Sequence, residues 1–399
     1  WERQINGISN NEKAVLLLEK RTFKELLVDM ELRNLQNNIV GQEASRLFAR
    51  AEINMGVEAF RDSLYSLLKR NTFLNIKFEN MLDTLGEISR TDIRSLLGEW
   101  EKTTPLPFYS LGEPTLTKIT NKGGEEFFVL KMLISNNSDY DGIIHMDIRK
   151  DGWWYQPLED PRAKTKIEMP AHTSKEFVSV WEDQIRNVEI NTMVSGNLPN
   201  IISQDINNVK QERNKIVKDS IYILPESSFD LPGEIIVDNE DSTLFILSAP
   251  PIVGLLPKWL DEVEETPFKY SGISWWRPPL QWTATTNDRY YGKYIRSAFV
   301  IKSGDGSQTA TWKVPVPEVG QYDLYYHVFK DDELRWNNNL QGEYHFKVKY
   351  GSEVEDAYVN LRKANEGWEQ LGSYYFDSDT IRVVLTDECK LRSVTADAV

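Results

Sequence analysis

The hydrophobic pattern changes period near residue 105. Before it, apolar residues recur every three or four positions. Val15, Leu18, Phe23, Leu26, Leu27, Met30 and Leu35 form one series, and Ala44, Leu47, Phe48, Ala51 and Met55 a tighter one. Phe60, Leu64, Leu67 and Leu68 follow, then Ile93, Leu96, Leu97 and Trp100. Spacing of this kind puts one apolar stripe on each of several helices. Gly56 and Asn71-Thr72 punctuate them, and Ser89 with Asp92 three residues on resembles a capping arrangement. Thr103-Thr104-Pro105-Leu106-Pro107 ends the helical block, because a residue before proline is pushed out of the α region.

After that point the pattern is β. Phe128, Leu130, Met132 and Ile134 alternate with polar or outward positions, as do Ile144, Met146 and Ile148, with Asn136-Asn137-Ser138-Asp139 and Gly142 marking the hairpin between them. Residues 177–181 and 188–193 give two more strands. Short strands with turns between them predict an immunoglobulin-like β-sandwich over 110–233. Residues 204–218 (QDINNVKQERNKIVK) are polar and read as a linker or solvated extension. A helix is expected around 255–263. Strands then return at 297–302, 309–316 around Trp312, 322–328, 344–350, 357–361, 380–385 and 394–399, with Gly304-Asp305-Gly306-Ser307 and Pro317-Glu318-Val319-Gly320 as turns. The class is therefore multidomain, α then β: a helical bundle over 1–109, then two β-sandwiches over 110–233 and 234–399.

Composition narrows the partners. Forty-six basic against 61 acidic residues leave a net charge of −15, which disfavours nucleic acid and anionic membrane. The 40% apolar content is that of a folded chain, and no apolar run is long enough for a transmembrane helix. The single cysteine, Cys389, excludes an internal disulfide framework and a thiolate metal site, and is expected to be buried. The chain reads as a piece of a larger protein.

Candidate chemistry is aromatic. Trp and Tyr rings bind sugars by laying an apolar face on pyranose C–H groups while polar neighbours meet the hydroxyls. Trp275, Trp276, Trp282, Tyr290, Tyr291 and Trp336 are the candidates, since they stand in loops or beside Asn, Asp and Arg. The competing reading packs the 275–282 segment between domains. Trp312, Trp368, Tyr322 and Phe376 sit in strand patterns and are expected in the core. Trp153-Trp154-Tyr155 reads as the edge of a sandwich, and His145 as a surface residue. Asp238-Asn239-Glu240-Asp241 could offer oxygens to calcium, but a turn with Asx chemistry suits it better. Facing carboxylates for glycoside hydrolysis are not singled out. No metal site and no cofactor are expected.

Two resemblances attach to these residues. Gln42 to Arg70, Leu82 to Leu85 and Asp92 to Trp100, followed by Pro105-Leu106-Pro107, resemble the closing helices of aminopeptidase N-like gluzincin zinc peptidases, where a small β-sandwich follows. That family's chemistry requires H-E-x-x-H, two histidines one helical turn apart holding zinc with the glutamate as base. This sequence has only His145, His172, His327 and His345, so no catalytic residue carries over and the chain as given is not expected to be an enzyme. Val237-Asp238-Asn239, Gly304-Gly306-Ser307 with Trp312, Gly320-Gln321-Tyr322, Trp368 with Leu371-Gly372-Tyr374-Phe376, and Ala396 to Val399 resemble the golvesin C-terminal-like domain, a sandwich related to carbohydrate-binding modules. This resemblance implies a jelly-roll-type sandwich over 234–399. Together the two imply an accessory region of a bacterial, exported or membrane-tethered peptidase-like protein, outside the cytoplasm. Its role would be scaffolding and recognition of a polysaccharide, a peptide substrate or an upstream peptidase-like domain. A carbohydrate-binding module and a pure protein-interaction region are the alternatives.

Overall fold

The computed structural model describes residues 4–5, 7–72, 74–89, 102–150, 156–213, 217–226, 229, 233–248, 268–274, 277–330 and 342–399. The expected helices at 93–100 and 255–263, and Trp153-Trp154-Tyr155, lie outside them. The chain is mostly β-sheet with a smaller helical part toward the N-terminus. It divides into two compact units, residues 10–229 and residues 1–9 with 230–399. Strand β1 (Gln4–Ile5) therefore belongs with the second unit.

In the 10–229 unit the helical spacing produces α1 (Asn10–Lys20), α2 (Phe23–Val28), α3 (Gln36–Met55), α4 (Val57–Arg70) and α5 (Phe78–Ser89). Thr22 and Glu25 form a reciprocal capping box at the start of α2, satisfying donors that the first helical turn leaves unpaired. Gly56, at φ +84°, separates α3 from α4 in a conformation that a side chain disfavours. The apolar stripes meet in two clusters, Ala14, Leu18, Leu26 and Ile39 in one and Leu47, Ala51, Phe60, Leu82 and Leu85 in the other.

The same unit continues with β2 (Tyr109–Leu111), β3 (Thr115–Thr120), β4 (Glu126–Asn136), β5 (Gly142–Lys150), β6 (Gln156–Pro157), β7 (Lys164–Met169), β8 (Thr173–Trp181), β9 (Ile185–Asn191), β10 (Ile201–Asp205), β11 (Val209–Arg213) and β12 (Ser220–Pro225). One sheet runs β11-β3-β4-β8-β12 with β2 also on β4, and the other β10-β9-β5-β6 with β7 also on β5. Leu116, Leu130, Met132 and Ile134 of the first meet Ile144, Met146, Val188 and Ile190 of the second in one buried core, which makes a β-sandwich. The polar stretch read as a linker supplies the end of β10 and all of β11. Val209 to Arg213 pair in parallel with Leu116 to Thr120. An edge strand tolerates K-Q-E-R because its residues stay in water, so the apolar alternation that marks a strand is missing.

The second unit holds β13 (Phe245–Leu247), β14 (Ile273–Ser274), β15 (Thr283–Thr286), β16 (Ser297–Lys302), β17 (Thr309–Pro315), β18 (Gly320–Val328), β19 (Glu343–Tyr350), β20 (Glu353–Asn360), β21 (Gly367–Phe376), β22 (Thr380–Thr386) and β23 (Ser393–Ala396). Its sheets run β13-β17-β22-β19-β20, β15-β16-β23 and β18-β21, with β1 on β14. Inner residues of all three larger sheets share one core around the fully enclosed Trp312, which touches Phe245 and Tyr326 and donates its indole N–H to the Asp397 carbonyl at 3.2 Å. The predicted turn at 304–307 forms as expected of its residues: Gly306 takes φ +90°, and the Asp305 carboxylate accepts from the Ser307 amide at 3.1 Å.

Candidate functional site

The β18–β21 ribbon is where side chains of binding chemistry gather. Along β18 the alternation is regular. Leu324, Tyr326 and Val328 point into the core, so Gln321, Asp323, Tyr325 and His327 stand on the other face. Across from them β21 pairs Gln321 with Tyr375, Asp323 with Ser373, Tyr325 with Gln370 and His327 with Trp368. The register steps between Leu324 and Tyr325, leaving Leu371 as an extra residue opposite them. Tyr374 and Phe376 are buried, yet Trp368 is 40% exposed, Tyr325 41% and Tyr375 61%.

The outward face thus alternates rings with hydrogen-bonding groups. At its middle the Asp323 carboxylate accepts from the Ser373 hydroxyl and from the Gln370 amide at 3.2 Å, and Gln370 also donates to Ser373 at 3.1 Å. At one end Trp368 meets His327 edge-on at 5.2 Å between centroids and Tyr291 at 5.1 Å. Beneath them lies a wholly buried carboxylate. His327 Nδ1 is 2.9 Å from Asp397 Oδ2, and the Tyr291 amide donates to both Asp397 oxygens at 3.1 and 3.2 Å. Burial pushes the Asp397 carboxyl up, while His327 and the Tyr291 amide draw it down. The carboxylate fixes the imidazole ring against the aromatic pair.

Arg289 closes this end. Its guanidinium lies 4.7 Å over the Phe329 ring and is held by Glu366 and the Lys330 carbonyl. Near Asp397 the half-buried Asp238 carboxyl is pushed up to about 8, first by burial and then by the neighbouring Asp397 and Glu240 charges. Among the described residues no group of three His, Cys, Asp or Glu side chains is placed to hold a metal ion. Within 238–241, Asp241 instead organises a turn, its carboxylate accepting from the Thr243 hydroxyl at 2.7 Å and the Thr243 and Leu244 amides at 3.0 and 3.2 Å.

Of the six candidate residues, Trp275, Trp276 and Trp336 lie outside the described residues. Tyr291 joins the face through Trp368 and His327. Tyr290 is 3% exposed and packs edge-on against Phe329 at 4.7 Å, and Trp282 is half-buried against the core. Trp312 and Phe376 are core as expected, and Tyr322 packs partly buried against it, whereas Trp368 is exposed. Trp368 lies an even number of residues from Tyr374 and Phe376, so simple alternation assigns all three to one side. The extra Leu371 resets that parity. The outward positions of Tyr325 and His327 are legible from the regular pattern of β18; the Asp397 carboxylate that meets His327 from seventy residues away carries no local signal. Cys389 packs half-buried beside the core and accepts from the Leu391 amide at 3.4 Å.

Comparison with known proteins places a Golvesin C-terminal domain at residues 278–399, which contains this face. No curated protein matches the sequence. Among solved structures, a β-glucuronidase of Bacteroides uniformis is similar at 12% identity and a TM-score of 0.21, over 78% of this chain and 32% of that one. Bacteroides uniformis β-glucuronidase 2 covalently bound to cyclophellitol-6-carboxylate aziridine is similar at 12% identity and a TM-score of 0.20, with the same coverage. The chain spans about a third of those enzymes, and likeness at this level carries no argument about fold or activity. None of these matches supports the aminopeptidase resemblance of the helical block.

Proposed function

We propose that this chain is a non-catalytic accessory region whose C-terminal unit binds a polysaccharide on the outward face of β18 and β21. The observation that carries the reading is the row of exposed Trp368, Tyr325 and Tyr375 interleaved with Gln321, Asp323, Gln370 and Ser373 on one strand pair. Rings cover the apolar faces of sugars, and amide, hydroxyl and carboxylate groups between them meet the hydroxyls. The Golvesin C-terminal domain, a carbohydrate-binding-like module, supports it. On this reading the division into 1–109, 110–233 and 234–399 comprises a helical support, an immunoglobulin-like sandwich and a jelly-roll-type binding sandwich, working outside the cytoplasm.

The test is retention of the whole chain on a panel of soluble and insoluble polysaccharides. Trp368→Ala and Tyr375→Ala should each weaken binding to the retaining polymer about tenfold, close to 1.4 kcal/mol, with unchanged melting temperature. Trp275→Ala and Trp276→Ala probe the rival aromatic segment. Binding abolished by those two and untouched by Trp368→Ala would move the site, and no retention on any polymer would remove the reading.

A further inference from the structure

The six-stranded sheet of the 10–229 unit ends in two unlike edges. At one, β11 reads V-K-Q-E-R, with charges that deter another strand. At the other, β12 reads S-I-Y-I-L-P and pairs only β8 among the described strands. Ile221 is 56% exposed, Tyr222 51%, Ile223 73% and Leu224 40%. Successive strand residues face opposite ways, so both faces of β12 are bare, not one. The long edge strand of the other unit, β20, carries Glu353, Glu355 and Asp356. β12 has no charge, and its proline stands at the last position, where the ladder stops anyway.

We infer that β12 is the docking edge for β12 of a second copy of this chain, paired antiparallel about a twofold axis through Tyr222. The sequence is self-complementary about that residue. Ile221 of one copy faces Ile223 of the other, Ser220 faces Leu224, and Lys218 faces Glu226, so the axis generates two opposite-charge pairs. Slipping the register by one position sets Asp219 against Glu226 and repels them, so charge selects the first arrangement. Asp219 and Glu226 are already fixed beside the strand, Asp219 by the Val180 amide at 2.7 Å and Glu226 by Asn137 at 2.9 Å and His172 at 2.8 Å. An isologous pairing uses both edges at once and closes, giving a dimer with a continuous sheet and no free apolar edge.

Sedimentation equilibrium of the full chain should show a concentration-dependent dimer. Ile223→Lys should make it monomeric with unchanged far-ultraviolet circular dichroism. Lys218→Glu alone should weaken the dimer at least tenfold, as should Glu226→Lys alone. An equimolar mixture of the two variants should dimerise again, because each chain then supplies what the other lacks. A monomer at every concentration overturns the inference, as does a dimer indifferent to Ile223→Lys. Failure of the mixture to recover overturns the twofold register even if Ile223→Lys acts, and open-ended oligomers overturn closure. Polysaccharide retention of the Ile223→Lys monomer separates this result from the fate of the β18–β21 face.

Discussion

Asp238 and Asp397 come from opposite ends of the C-terminal unit, and the half-buried Asp238 neighbours the enclosed Asp397 next to the paired main chains of Val237 and Val399, whose amides and carbonyls bond at 2.8 and 3.2 Å. Asp397 keeps its charge company in His327 and the Tyr291 amide. Asp238 has burial and two like-charged neighbours against it, which hold its carboxyl up at about 8. The folded state therefore favours the protonated acid over an unfolded carboxyl near 3.8. Its contribution is fully present below the unfolded value and is lost as pH rises through the folded one. Asp238→Asn should flatten this decline and raise stability by about 1–3 kcal/mol at about pH 9, measured by urea denaturation across pH. His172 behaves in the same direction. Glu226 and then Asp139 raise its pKa, so its support exists below the ordinary imidazole value and fades as pH rises through the raised one. His172→Gln should remove that part of the pH dependence.

At the scale of elements, β21 shows what the residue pattern can and cannot disclose. Strands 16 to 19 and 22 follow alternations visible in the chain, and the helical stripes of α1 to α4 follow a 3.6-residue period, because in both cases one face meets a core and the other meets water. β21 holds one residue more than its partner needs. Deleting Leu371 should therefore leave every neighbour on its present face: Trp368 and Gln370 outward, Tyr374 and Phe376 inward. We expect a loss of less than about 2 kcal/mol and retained sugar binding. Deleting Tyr375 instead, beyond the extra residue, turns the enclosed Phe376 from the core to the outward face and should cost about 3–5 kcal/mol, in line with removing one buried aromatic. Thermal melts of the two deletions compare them directly. The helical resemblance to zinc peptidases, which no match supports, rests on a weak signal for a related reason: a 3.6-residue stripe states that a helix packs, and many unrelated helices pack alike. The face proposed for binding was half legible, since the alternation of β18 shows its outward residues, while the bulge hid those of β21 and the Asp397–His327 contact joins positions seventy residues apart.

At the scale of the molecule, the first nine residues fold with the last 170, and the chain between them forms the other unit. Gln4 and Ile5 pair with Ser274 and Ile273, and nearby the backbones of Gly7 and Gly272 come so close that a Cβ at residue 7 would lie 2.2 Å from the Gly272 nitrogen. Gly7→Ala should consequently destabilise the C-terminal unit by about 1–3 kcal/mol and lower its melting temperature, although it is more than 260 positions from its neighbour. Differential scanning calorimetry should show the transition of the 10–229 unit unmoved. A shift confined to that other unit would contradict the pairing.

The outward row of β18 and β21 also has a consequence for descent. Its residues share strands with the core but not its constraints, because they face away from it, Tyr325 and Tyr375 each standing between two buried neighbours. Mutation can therefore rewrite Gln321, Asp323, Tyr325, Gln370 and Tyr375 one at a time while the scaffold stays intact. Among descendants of one ancestor these positions should diverge fastest within the ribbon, and lineages that meet different polymers should differ there first.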